Sequence, residues 1–313
     1  MFTYKTFNNI AEEGLSVMAS RNIQDVSENP DGLMLRSHKL VAAEFGKNLS
    51  AIARAGAGIN NIPIEDATDL GVVVFNTPGA NANAVKELVI CGMLLSSRGI
   101  VDGINFAKGL DSNDADALNK MMEAQKKTFV GNELAGKTIG IVGLGAIGSM
   151  LAQACQALGM KLVGFDPHIS IDSAWRLPRE VEKAETLEEL LKKSDYVSLH
   201  VPLVEATKNL INSNNLRYFK SEARLINLSR GGIVNSNDVI QALEDGKLSK
   251  FVTDFPTPEL IARSAKQSDV ILLPHLGAST KEAEINCSVM AANQLANFLQ
   301  DGTIINSVNF PNV

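Results

Sequence analysis

The chain has 313 residues, 45% of them hydrophobic and 20% charged, which is long enough for two globular domains and too long for most single cores. A formal net charge of −6 disfavours nonspecific partnership with nucleic acid or with an anionic membrane, because an acidic surface repels both. The three cysteines, Cys91, Cys155 and Cys287, are odd in number and widely spaced, so buried free thiols in a reducing, cytoplasmic setting are expected rather than a disulfide framework, and no Cys/His spacing points to a metal.

In chain order, short apolar runs predict strands at residues 32–35, 49–53 and 72–75, and helical periodicity predicts helices at 9–20, 41–47 and 84–97. The apolar stretch 84–95 carries Lys86 and Glu87, which argues against a membrane span or a signal segment. Residues 101–127 are polar and break the rhythm. Residues 111–116 mark a helix start there, and the stretch is expected to be an excursion between two sheets, as a surface helix pair or as a dimer arm. Six further strands are predicted at 138–142, 161–165, 196–200, 224–228, 251–253 and 270–273, the number in a full dinucleotide-binding sheet. A last helix, 282–301, is expected to pack on the first domain. Strands alternating with helices give the fold class: α/β, two doubly wound parallel sheets with right-handed crossovers.

Thr138-Ile139-Gly140-Ile141-Val142 runs straight into Gly143-Leu144-Gly145-Ala146-Ile147-Gly148, and apolar residues then recur at helical spacing. In such a strand–turn–helix unit Gly143 permits the tight turn, Gly145 lets backbone approach a pyrophosphate, and Gly148 lets helix and strand pack closely. The helix N-terminus offers free N–H groups and the positive end of its dipole to phosphate. The next strand ends at Asp166, about 20 residues on, where a carboxylate accepts from ribose hydroxyls and repels a 2′-phosphate. NAD is therefore the expected cofactor.

Two more strand ends carry reactive residues. Arg230 follows Ile226-Asn227-Leu228-Ser229, and its planar fork can bind a carboxylate through two parallel bonds. His275 follows Leu273-Pro274, and an imidazole takes and gives protons near neutral pH. Together they suit hydride transfer at a small 2-hydroxy or 2-keto acid.

At these residues the chain resembles the D-isomer-specific 2-hydroxyacid dehydrogenase family. The likeness is carried by Arg54-Ala55-Gly56-Ala57-Gly58, by Gly131-Asn132-Glu133-Leu134-Ala135-Gly136-Lys137-Thr138, by the glycine fingerprint, by Asn227 to Val234 and by Pro274 to Thr280, in the family's order. Within the family it leans to the members acting on 3-phosphoglycerate. The resemblance implies a flavodoxin-like substrate domain (residues 1–97 and 285–313) interrupted by a Rossmann NAD domain (98–284), with substrate between them. It implies Arg230 as substrate-binding residue, His275 as acid/base and a glutamate that charges the histidine. Counting without gaps from Gly246-Lys247-Leu248 places that glutamate at Glu259, and aligning on Phe255-Pro256-Thr257 instead would place Pro258 there. Glu259 is preferred, because a carboxylate stabilises an imidazolium and proline cannot.

By the same resemblance Ala146, Ile147, Val201, Leu228, Ser229, Arg230, Asp254, His275, Gly277 and Ala278 meet the cofactor, with Asp254 at the nicotinamide carboxamide. Ala146 stands where the family often has arginine. Arg36, Ser37, Arg54, Ala55, Gly56, Ala57, Gly58, Asn81 and Lys127 lie at substrate positions. Lys126 and Lys127 read equally as a solvated face. The family implies oxidation of 3-phosphoglycerate or the reverse reaction, as the first step of serine synthesis, in a homodimer or tetramer. Other 2-hydroxyacid substrates and an NAD(H)-sensing corepressor are the alternatives. A regulatory domain after Pro311 is not expected. His200 reads as structural or cleft-lining, and His38 and His168 as surface loop residues.

Overall fold

In the computed structural model, which describes residues 1–311, every ladder between strands is parallel. The chain divides into two units, Met1–Ala84 with Ala278–Val313, and Val85–Gly277.

The first unit is built on β1 (Thr3–Phe7), β2 (Gln24–Asp25), β3 (Gly32–Leu35), β4 (Ala51–Arg54) and β5 (Val73–Phe75), in the order β2-β1-β3-β4-β5. Side chains alternate across the pleat, so one face buries Leu33, Leu35, Ile52 and Val74 and the other Met34, Ala51, Ala53 and Val73. The helix Lys281–Asp301 closes the second face with Ala291, Ala292 and Leu295. It lies so close that a β-carbon on Gly32 would sit 2.7 Å from Leu295 Cδ1. The structure differs from the sequence reading at three points here. β1 is a strand without an apolar run, with Tyr4 as its buried residue. Residues 41–47 form only a 3₁₀ turn, Ala42–Glu44, because Glu44 reaches back to the Val41 N–H (3.0 Å) and to His38 Nε2 (2.9 Å). His38 is accordingly half-buried, stacked at 4.3 Å on Phe7, and not a bare surface residue.

The second unit has β6 (Thr138–Val142), β7 (Lys161–Phe165), β8 (Glu182–Lys183), β9 (Tyr196–Leu199), β10 (Arg224–Asn227), β11 (Lys250–Thr253) and β12 (Val270–Leu272). Their order is β12-β11-β10-β9-β6-β7-β8. Read from β8 to β11 this is the Rossmann order, with β12 added at the far edge; seven strands stand where six were expected, because the short edge β8 was not among those predicted. One face buries Val142, Val197, Leu199, Leu225 and Phe251, and the other Ile139, Ile141, Tyr196, Ile226 and Val252. The helix Ala82–Ser97 gives Val85, Val89 and Met93 to that second face. Cys91 on the same helix is exposed, against the expectation of three buried thiols, because it lies off this buried stripe; Cys155 and Cys287 are buried. Residues 101–127 form the helix pair Ile100–Lys108 and Ala115–Gln125, the latter capped by Asp114. No described helix is long and apolar enough to cross a membrane.

Candidate active site

The chain reverses direction of connection between β6 and β9, which lie side by side, and in open α/β sheets ligands bind outside the carboxyl ends of such a strand pair. Gly143 follows β6 at φ 92°, and a β-carbon there would lie 2.8 Å from the His200 carbonyl carbon at the end of β9. Gly148 has a similar constraint, since its β-carbon would lie 2.1 Å from Gly143 O. Gly145, at the N-cap of the helix Ala146–Ala157, would meet nothing within 4 Å. Two glycines are thus required by packing, while the third keeps a space open over the helix N-terminus. Asp166 at the end of β7 accepts from the Leu144 N–H (Oδ2, 2.8 Å) and the His168 N–H (Oδ1, 2.9 Å). The carboxylate therefore stands beside the glycine turn. An open turn, a helix N-terminus and an adjacent acid fit the pyrophosphate and ribose of NAD. Ala146, Ile147 and Val201 are half-buried around this turn.

β10, β11 and β12 are neighbours, in register at Asn227, Thr253 and Leu272. Arg230, Asp254 and His275 therefore leave the same end of the sheet. Asn227 shapes the first loop: its Nδ2 donates to Arg230 O (2.9 Å), and its Oδ1 accepts from the Ser229 hydroxyl (2.9 Å). Leu228 and Ser229 are buried, whereas Arg230 is exposed, with Nη1 donating to Ser229 O (2.6 Å). His275 is exposed and held in the left-handed region at φ 51°, a conformation costing roughly 1–3 kcal/mol that persists only where its surroundings enforce it. The enforcing group is Asp254: its carbonyl accepts from the His275 N–H (3.2 Å) and its Oδ2 from the Gly277 N–H (3.1 Å). The Asp254 side chain is buried and its Oδ1 has no partner. Burial pushes this carboxyl above the usual carboxylate range, against the pull of the Gly277 N–H and of His275. An orphaned acceptor at a strand end fits the carboxamide donor assigned to it by the resemblance. Phe255 sets the spacing, its ring 5.0 Å from His275 and its Cβ 3.1 Å from a β-carbon built on Gly231. Ala278 is half-buried just beyond.

Glu259 is not brought to His275. It is exposed in the first turn of the helix Pro258–Ser264, and among the described residues no hydrogen bond or ion pair joins it to the imidazole. Its own backbone N–H and the Thr257 hydroxyl hold its carboxyl below the usual range. Thr257 caps this helix and Pro258 starts it, so the glutamate is turned into the capping network.

In the first unit, Arg36 and Arg54 end adjacent strands. Arg54 Nε donates to Arg36 O (3.1 Å) and its Nη1 to Gly58 O (2.6 Å), so its guanidinium braces the loop 54–58. Asn76 Nδ2 donates to Ala57 O (2.8 Å), and a β-carbon on Gly56 would lie 2.8 Å from Arg54 Nη1. Ala55 is buried in this loop and Gly56, Ala57 and Gly58 are half-buried. Ser37 is exposed, its N–H donating to Asn8 Oδ1 (3.1 Å), and Asn81 lies in the turn before the helix Ala82–Ser97. Lys126 pairs with Glu123, and Lys127 is exposed in the 3₁₀ turn Lys126–Phe129 of the second unit. Sequence reading gave no role to Asn8, Phe255 or Glu284, the last ion-paired to Arg36 at 2.8 Å; Phe255 lies in the stretch used to place the glutamate, while Asn8 and Glu284 lie in no motif whose spacing would have marked them.

Residues 103–277 match the family model described as D-isomer specific 2-hydroxyacid dehydrogenase, NAD binding domain. The chain is 36% identical over 299 residues to D-3-phosphoglycerate dehydrogenase of Synechocystis, covering 94% of this chain and 51% of that protein. It is 34% identical over 315 residues to the enzyme of that name from Homo sapiens, covering 96% and 55%. The chain thus spans about half the length of the curated relatives it matches. Among solved structures, NAD⁺-bound 3-phosphoglycerate dehydrogenase of Entamoeba histolytica superposes with TM-score 0.77 at 25% identity, covering 99% of both chains. D-mandelate dehydrogenase of Rhodotorula graminis shares the fold, with TM-score 0.82 at 22% identity over 99% of this chain and 98% of that one. The glycine turn, the acid after β7 and the arginine and histidine past β10 and β12 agree with that likeness: the chain belongs to the D-isomer specific 2-hydroxyacid dehydrogenase family, and residues 103–277 are its NAD-binding domain.

Proposed function

We propose that this chain interconverts 3-phospho-D-glycerate and 3-phosphohydroxypyruvate. The observation that carries the chemistry is the common origin of Arg230, Asp254 and His275 at one end of three adjacent strands. The substrate choice is supported by relatives of that name at 34–36% identity and by two arginines, Arg36 and Arg54, at neighbouring strand ends. When bound, NAD supplies the acceptor for the hydrogen on C2. Arg230 binds the carboxylate and polarises the C2 oxygen, which gains negative charge as its proton leaves. His275 takes the proton from the C2 hydroxyl in oxidation and returns it in reduction. Asp254 holds the His275 turn in its left-handed conformation and presents its unpaired oxygen to the carboxamide. Gly145 keeps the pyrophosphate space open and Asp166 receives the ribose.

The test is an NADH-linked assay with 3-phosphohydroxypyruvate, hydroxypyruvate and pyruvate. The phosphorylated keto acid is expected to give the highest kcat/KM. A higher value for either unphosphorylated acid would replace the proposed substrate, and NADH binding without turnover of any of them would replace the enzyme reading with a sensing one.

A further inference from the structure

Arg36 and Arg54 end adjacent strands, but their guanidinium groups are engaged differently. Arg54 braces its own loop through Arg36 O and Gly58 O. Arg36 Nη1 instead meets the Glu284 carboxylate at 2.8 Å, with 38% and 45% of the two side chains exposed. Glu284 projects from the first turn of the helix Lys281–Asp301, which is anchored in the first unit's core and capped by Thr280, so the carboxylate is presented from a fixed element. Cys287, one turn further along, is buried: burial pushes its thiol up, while Thr77, Arg36 and Arg54 pull it down and Glu284 opposes them. The cationic end of this sheet thus carries a built-in anion.

We propose that Glu284 is a specificity-determining residue that tempers the preference for phosphorylated acids: it neutralises Arg36 in the unliganded protein, so that a phosphorylated acid must displace it and is held with weakened affinity. This rests on the substrate reading above. A half-exposed ion pair is worth little, so it yields to a stronger anion. A phosphate monoester carries roughly −1.5 to −2 charges and three acceptor oxygens, and so outcompetes one carboxylate for the guanidinium. A neutral hydroxymethyl group does not. Breaking the Arg36–Glu284 pair in a near-aqueous dielectric costs the incoming anion on the order of fivefold in affinity.

The experiment measures 3-phosphoglycerate and inorganic phosphate binding by calorimetry in the full chain with NAD, for the natural protein, Glu284→Gln, Arg36→Ala and the double variant. Glu284→Gln is expected to tighten both ligands about fivefold or more and to raise the kcat/KM ratio of 3-phosphohydroxypyruvate over hydroxypyruvate by a similar factor. In the Arg36→Ala background that gain should vanish, as a double-mutant cycle on an interacting pair requires. Glu284→Asp, which keeps the charge, should behave as the natural protein. Unchanged phosphate binding in a folded Glu284→Gln, or a gain that persists without Arg36, overturns the inference. If the natural protein and the variant both ignore 3-phosphoglycerate while phosphate binding still tightens, the substrate reading fails and the role of Glu284 stands.

Discussion

His200 ends β9 with its Nε2 bonded to the Ser198 hydroxyl (2.9 Å) and its Nδ1 buried without a partner. Burial drives its pKa from the usual 6.5 down to about 4. A group whose folded pKa is depressed favours the native state while neutral. That contribution is complete above pH 6.5 and is lost as pH falls toward 4, at most about 3 kcal/mol. His200→Asn should lower Tm at neutral pH by leaving a void, yet flatten the fall of Tm between pH 6.5 and 4; an unaltered acid slope would show that His200 does not set it. Asp254 carries the opposite sign. Its raised pKa means that ionisation costs native stability as pH climbs through the folded value. Asp254→Asn retains an acceptor for the Gly277 N–H and removes the buried charge. Its Tm is expected to equal or exceed that of the natural protein at pH 7, with the difference closing in acid, while kcat/KM falls about tenfold or more. A clear loss of Tm at pH 7 would contradict this.

At the scale of elements, the glycine turn separates packing from binding. Gly148→Ala places a methyl into Gly143 O and should cost about 1–3 kcal/mol by overpacking. Gly145→Ala meets open space, so Tm should hold within about 1 kcal/mol of stability while the NADH Kd rises tenfold or more. Thermal melts and NADH titrations on the pair check this, and equal effects of both substitutions on both readouts would refute it. The elements that define this site were legible because buried parallel strands read as apolar runs. β6 and β7 lie where residues 138–142 and 161–165 predicted them. β1 was not, because Thr3-Tyr4-Lys5-Thr6-Phe7 alternates and has no run. Residues 41–47 have helical periodicity, but local hydrogen bonds from Glu44 compete with helix and leave three residues of 3₁₀ turn. Arg230 and His275 were legible because they follow strands. The fate of Glu259 was not, since its spacing says nothing of the helix that Thr257 and Pro258 initiate around it.

At the scale of the molecule, each unit builds its own two-faced core, and the catalytic side chains assigned above sit on loops past rigid strands rather than within the cores. The pairing of Glu284 with Arg36 joins residues distant in sequence, and only the docking of the last helix on the first sheet reveals it. The most direct measurement is steady-state reduction of 3-phosphohydroxypyruvate by NADH in Arg230→Ala and His275→Gln, with NADH binding followed by energy transfer from Trp175, the single tryptophan. Each variant is expected to lose about 10²-fold or more in kcat/KM while still binding NADH. Turnover within about threefold of the natural protein in either variant would contradict the assignment of these residues to the reaction.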